Sequence, residues 1–213
     1  MIVQQAQLGP DGTCKGIDTI LRIWPELAQQ LKVLGYSFVV RYIGTGPSAL
    51  TPTERDIITD AGLGLMVVTF GGKNGWLPSK DNGHAKGLSD VVHAKAAGVM
   101  EGTSAFFDYE GPGICTAYTM ADDINARTDV VADEGFRPGL YNGFGMPFSS
   151  DQLYKMLKLS CYWKSCSQVP DVAVRGYCMI QHYPPNQHVA GAQVDINTIK
   201  ADNLGGVPYW MAA

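Results

Sequence analysis

The chain has 213 residues, 46% hydrophobic and 17% charged, enough for one substantial core and short for two ordinary domains, so a single domain over residues 1–213 is expected. A formal net charge of −4 and a pI near 5.5 carry no basic signature, which argues against nucleic-acid and anionic-membrane partners and leaves a neutral or mildly charged polymer open. Residues 1–10 lack a basic segment followed by an apolar run, and no stretch approaches the ~18 apolar residues of a membrane span, so neither a Sec signal nor membrane insertion is expected.

In chain order, Gly16-Ile17-Asp18 reads as a brief strand. Leu27, Leu31 and Leu34 then recur at helical spacing, with Pro25 near the start and Gly35 at the stop. A second strand covers 37–43. Thr51-Pro52-Thr53-Glu54 opens the next helix with a hydroxyl cap, a proline at the first helical position and a glutamate at the capping-box position. A third strand, 64–70, runs into a loop rich in glycine, lysine and asparagine that contains Trp76, followed by a helix from about His84 to Ala97.

The fourth strand is Thr103-Ser104-Ala105-Phe106-Phe107 running into Asp108-Tyr109-Glu110. Behind it Thr119 and Asp122 are read as a cap and its partner for a helix ending near Gly135. A fifth strand, 138–142, and a short helix, 150–159, follow. Strands at 161–163, 176–182 and 193–196 complete the count, joined by loops too poor in periodicity for full helices. Eight strands alternating with about five helices imply an α/β, TIM-like irregular barrel of mostly parallel strands with a degenerate last third. A doubly wound open sheet is the structural rival, but no Gly-x-Gly-x-x-Gly or Walker-type loop follows any strand.

A strand repeats every two residues, so Asp108 and Glu110 point to one face, roughly 6.6 Å apart along it. Like charges held that close push their pKa values apart, leaving one carboxyl protonated and the other ionised. Solvated charges at a strand end are the plainer explanation of the pair taken alone. In a barrel, however, the strand ends converge on one mouth, and Asp18 on the first strand and Asp195 on the eighth join them there. Four carboxylates around one pocket repel one another, and function is the more economical account.

Other chemistries find less support. None of the four histidines pairs at i, i+4, so no metal is expected, and no cofactor motif occurs. There is no Gly-x-Ser-x-Gly elbow. Cys14, Cys115, Cys161, Cys166 and Cys178 are odd in number and form no Cys-x-x-Cys pair; buried thiols are expected, with Cys161 and Cys166 reduced, although a bridge between them is conceivable. Either cysteine with His182 could be drawn as a thiol dyad, but a structural thiol is the better reading.

The segments Gly16-Ile17-Asp18, Phe38-Val39-Val40-Arg41-Tyr42-Ile43-Gly44, Phe106-Phe107-Asp108-Tyr109-Glu110, Gly139-Leu140-Tyr141, Ile180-Gln181-His182-Tyr183 and Val194-Asp195-Ile196-Asn197 resemble glycoside hydrolase family 25 muramidases and the related Rv2525c-like glycoside-hydrolase-like domains. The resemblance implies an irregular barrel of eight strands and five helices. It also implies hydrolysis of the β-1,4 bond between N-acetylmuramic acid and N-acetylglucosamine in peptidoglycan. Glu110 then stands in the place of the general acid, kept protonated by an ionised Asp108. Asp195 or Asp108 orients the substrate's acetamido group or activates water, and Asp18 positions the sugar.

Substrate-binding candidates are Tyr141, Arg41, Trp76, Trp163, Gln181 and Tyr183. For Tyr141 and the other aromatics, packing at the barrel rim or in the core competes with sugar contact. For Arg41, an internal structural salt bridge competes with pairing to Asp18 or Asp108. The expected partner is the peptidoglycan glycan strand, met by a monomer. As an endolysin the enzyme acts from the host cytoplasm after release to the wall; otherwise it is exported by a non-Sec route. A glycan-binding barrel without catalysis, or a glycosidase on another polysaccharide, is the alternative.

Overall fold

The computed structural model describes all 213 residues. The elements are β1 (Ile2–Gln5), β2 (Thr13–Thr19), α1 (Pro25–Val33), β3 (Phe38–Ile43), α2 (Pro52–Asp60), β4 (Gly64–Thr69), α3 (Lys80–Ala96), β5 (Ser104–Tyr109), α4 (Ala117–Asp133), β6 (Arg137–Asn142), α5 (Ser150–Met156), β7 (Tyr162–Lys164), β8 (Met179–Gln181), β9 (Gln187–Val189), β10 (Ala192–Lys200) and β11 (Tyr209–Ala212). No helix is long and apolar enough to cross a membrane.

The predicted helices form where their caps place them, with two adjustments. Thr51 accepts from the Glu54 amide, and Ser149 with Gln152 makes a complete capping box for α5. α3 starts earlier than expected, capped by Ser79, and α4 is capped by Thr116, with Thr119 three residues inside.

Strands β2 to β8, with β9 set aside, would leave an open parallel sheet; β10 closes it by pairing with both β8 and β2. The expected barrel of mostly parallel strands forms, and the exception is β10, which is antiparallel to both neighbours. The reason lies in the connection. A parallel return needs a crossover of a dozen or more residues, whereas β9 and β10 form a hairpin around Ala190 and Gly191, both at positive φ. The barrel is therefore a mixed one, with eight strands and five helices.

Alternation along each strand sorts the core into two bodies. Phe38 and Val40 face into the barrel with Met66, Val68, Phe106, Trp163 and Met179, while Val39 and Ile43 face the helices with Ile17, Leu65, Val67 and Phe107. The lower end is closed by the β1–β11 pair, absent from the sequence reading. Trp210 of β11 sits 6.1 Å from the Phe38 ring, over Gly64, where any β-carbon would overlap the indole.

Arg41 shares its face of β3 with Val39 and Ile43, so its guanidinium is buried beneath the helices. It pairs with Glu54 at 2.6 Å and donates to the Thr19 and Ser48 carbonyls. Glu54 also accepts from the Ile23 amide, tying α2 to the loop after β2. Removing one member leaves a buried charge uncompensated, so Glu54→Gln is expected to lower stability by about 3 kcal/mol in urea unfolding, and Arg41→Met with Glu54→Leu to restore most of it. Equal losses in the single and double variants would refute an energetic coupling of the pair.

Candidate active site

Asp18 is the penultimate residue of β2 and lies directly opposite Asp195 in the β2–β10 ladder. Two carboxylates on adjacent strands repel unless donors stand between them. Gln181, at the end of β8, supplies the bridge: its Nε2 donates to Asp18 Oδ2 at 3.1 Å and to Asp195 Oδ2 at 3.0 Å. Its Oε1 accepts from the Tyr141 hydroxyl at 2.9 Å, which fixes the orientation of the amide. Asn197 adds a donor to Asp18 at 2.7 Å and is itself held by the Trp163 indole at 2.8 Å. The other Asp195 oxygen accepts from the Asn186 amide.

The second pair stands on β5 and just beyond it. Asp108 lies opposite Tyr141 in the β5–β6 register, and Glu110 follows the last strand residue. The Trp76 indole donates to the Glu110 carbonyl at 3.0 Å, fixing the backbone from behind. Gly143 is required beside it, because a β-carbon there would overlap that of Glu110. Asp108 and Glu110 line a cleft of about 470 Å³ with Tyr42, Phe70 and Lys73. Asp18 and Asp195 line an adjoining hollow of about 180 Å³, and Tyr42 belongs to both. Tyr42 stacks on Phe70 with centroids 4.4 Å apart.

Burial, then the charge of Asp195, pushes Asp18 up to about 7 against the hydrogen bonds from Asn197 and Gln181. Burial, then the charges of Glu110 and Asp18, pushes Asp108 up to about 7, with Arg127 opposing. Glu110, half-buried, is raised by loss of water. Burial, reinforced by the same carboxylates, holds the Tyr42 and Tyr141 phenols above their ordinary range, so both remain hydroxyls. Burial thus favours the protonated form of Asp108, where an ionised carboxylate was expected: it is the deeper member of the pair, 9% exposed, and its Oδ1 has no hydrogen-bond partner.

The structure thus gathers Asp18, Asp108, Glu110, Asp195, Tyr141 and Gln181 at one mouth. Asp195 arrives there for a reason other than the one expected: on an antiparallel strand the mouth lies toward the N-terminal end, and Asp195 is the fourth of nine residues in β10. Arg41 does not reach the mouth, being committed to Glu54. Trp163 is 1% exposed and forms the floor beneath Tyr141, edge-on at 4.6 Å, so no sugar can stack on it. Trp76 braces Glu110 and packs on Tyr109 rather than lining the cleft. Tyr183 is exposed on the loop after β8.

Tyr42, Phe70 and Asn197 were not singled out. Alternation could have found two of them: Tyr42 shares the inward face of β3 with Phe38 and Val40, and Asn197 shares a face of β10 with Asp195. All five cysteines are free thiols, with Cys14, Cys161 and Cys178 buried.

Because the folded state raises Asp108 from 3.8 to about 7, it binds that proton more tightly than the unfolded chain. The cost of ionising it in the fold is absent below pH ~4, grows as pH rises toward 7 and is complete above. Asp108→Asn is expected to be nearly neutral at pH 4 and to stabilise by on the order of 2 kcal/mol at pH 8, read from urea unfolding at the two pH values. The same change at both would refute the raised pKa.

The fold has known relatives. The Mycobacterium tuberculosis Tat-secreted protein Rv2525c, solved with L-tartrate, is 17% identical, with a TM-score of 0.67 over 88% of this chain and 95% of that one. The catalytic domain of endolysin ply40 from Listeria monocytogenes bacteriophage P40 is 15% identical, with a TM-score of 0.61 over 91% and 96%. A family 25 glycosyl hydrolase from Bacillus anthracis is 11% identical, with a TM-score of 0.60 over 92% and 93%. No curated protein sequence matches the chain. The model of the Rv2525c-like, glycoside hydrolase-like domain matches residues 29–203, and the chain, with its closed barrel and acidic mouth, belongs to that family.

Proposed function

We propose that this barrel is a peptidoglycan hydrolase of the muramidase type, cleaving the β-1,4 bond between N-acetylmuramic acid and N-acetylglucosamine. The observation that carries the reading is the Asp108–Glu110 pair in its cleft, two acids of raised pKa beside a second pair across Tyr42. Glu110 is the outer member, reachable by a ligand. A sugar lying over it removes water from it as burial already has from Asp108, which raises its pKa further and favours the protonated form of Glu110. Glu110 then protonates the leaving oxygen as positive charge builds at the anomeric carbon. Asp195, partly exposed in the adjoining hollow, orients the acetamido group or the attacking water, and Asp18 holds Gln181 and the sugar in place. The endolysin domain and the family 25 enzyme among the fold relatives fit a wall-lytic role of this kind.

A second reading, a barrel that holds glycan without cleaving it, is favoured by one feature: both Asp195 oxygens are already hydrogen-bonded, to Gln181 and Asn186. Reducing-sugar release from purified peptidoglycan separates the two. Wild type is expected to release muramic-acid reducing ends, identified by mass spectrometry, and Glu110→Gln to slow release by about a hundredfold or more. No release by wild type refutes the hydrolase; equal release by the variant refutes Glu110 as the acid.

A further inference from the structure

The loop between β4 and α3 forms one lip of the Asp108–Glu110 cleft through Phe70, Gly71, Gly72 and Lys73. It lies hard against the strand end that carries both acids. Gly71 touches it first, since a β-carbon there would overlap the Asp108 carbonyl oxygen. The Lys73 carbonyl then accepts from the Trp76 amide at 3.0 Å, closing a turn in which Gly75 takes a φ of 84°. Beyond the turn, the Gly75 amide donates to the Gly111 carbonyl at 2.8 Å and the Trp76 indole to the Glu110 carbonyl at 3.0 Å. Lys73 is therefore held between two anchors on the Asp108–Gly111 segment.

Lys73 is the one cation lining either hollow of the mouth, whose other charged residues are Asp18, Asp108, Glu110 and Asp195. It is exposed, so a ligand can reach it, and it takes part in none of the chain's salt bridges. An ammonium placed beside four acids yet paired with none of them is available to an acid from outside. The acids themselves repel such a ligand, but burial lessens the repulsion by favouring the protonated forms of Asp18 and Asp108. Lys73 supplies the attraction.

We propose that Lys73 is a specificity-determining residue, which receives a carboxylate borne by the substituent of a sugar seated in the Asp108–Glu110 cleft. The cleft, of about 470 Å³, has room for a sugar ring and its arm. The ammonium meets the carboxylate in a charge-assisted hydrogen bond. The identity of the sugar rests on the muramidase reading: of the two sugars in peptidoglycan, N-acetylmuramic acid alone carries an acid arm. The carboxylate is the arm's own where the arm is free, and belongs to the attached peptide where it is not. In either case Lys73 sets the register of the glycan strand across Glu110.

Ligands with a single sugar contain no bond for a muramidase to cut, so their binding tests Lys73 apart from hydrolysis. In amide NMR titrations of the 15N-labelled chain, N-acetylmuramic acid is expected to shift Gly71, Gly72 and Gly111 saturably. It is expected to bind about fivefold more tightly than its neutral methyl ester or N-acetylglucosamine, the upper range for an exposed ion pair. Lys73→Met is expected to abolish that preference and Lys73→Arg to retain it. N-acetylmuramic acid carrying an alanyl-glutamate peptide separates the two sources. A Lys73-dependent preference for the free acid supports the arm's own carboxylate, and one for the peptide-bearing sugar alone supports the peptide's. No binding, equal affinity for charged and neutral ligands, or the same preference in Lys73→Met would overturn the proposal. Acid preference without peptidoglycan cleavage would support Lys73 and refute the muramidase; cleavage without acid preference would do the reverse.

Discussion

Like charge is the constraint around which this barrel is organised. Asp18 and Asp195 sit opposite each other on adjacent strands, and Asp108 and Glu110 are two residues apart on the far wall. Such a set persists only if protons or donors offset the repulsion, and the protein uses both. On one side the Gln181 amide divides its two N–H groups between the aspartates, locked in orientation by Tyr141. On the other, where no amide intervenes, burial favours the protonated carboxyl. The two halves of the mouth therefore differ in their hydrogen bonding, one stapled by an amide and the other not, while burial raises one acid in each, Asp18 and Asp108.

This division depends on what lies below and behind. The barrel interior is aromatic beneath the acids, with Phe106 and Tyr141 both edge-on to Trp163, and Trp163 reaching up to Asn197. That floor excludes water from beneath the carboxyls and so helps raise their pKa values. Behind the wall, the helix layer carries its own buried charges. Arg41 with Glu54 and Arg127 with Asp90 bind helices to strand ends, each a paired ion at the level of the mouth but outside the barrel. Arg127 is the member that reaches the acids electrostatically, opposing the rise of Asp108.

Much of this was legible before the fold was known. The four acids could be named because each ends or begins an apolar run, and the helix starts at Pro25, Thr51 and Ser150 were visible because caps and prolines act locally. Residues whose meaning depends on distant partners were harder to read. Arg41 could be read either as a partner of Asp18 or Asp108 or as half of an internal salt bridge; strand parity turns it to the helix face, where its partner Glu54 stands at the capping-box position of α2. For Trp163 core packing competed with sugar contact, and its parity on β7 makes it the floor. The β1–β11 pair went unseen because each strand is four residues long and they meet from opposite ends of the chain.

Local pattern thus sufficed for the element order, the acidic residues and the family, since periodicity, caps and short motifs are properties of neighbouring residues. Three things came from contacts between distant segments. The direction of β10 follows from a hairpin too short for a crossover, and it places Asp195 against Asp18. The order of burial within the Asp108–Glu110 pair makes Asp108 the deeper member and raises it by desolvation. The pairing of Arg127 with Asp90 ties α4 to α3 beside the end of β4. Burial, strand direction and ion pairing all depend on which surfaces meet across the barrel, and side chains far apart in the chain carry no local trace of that.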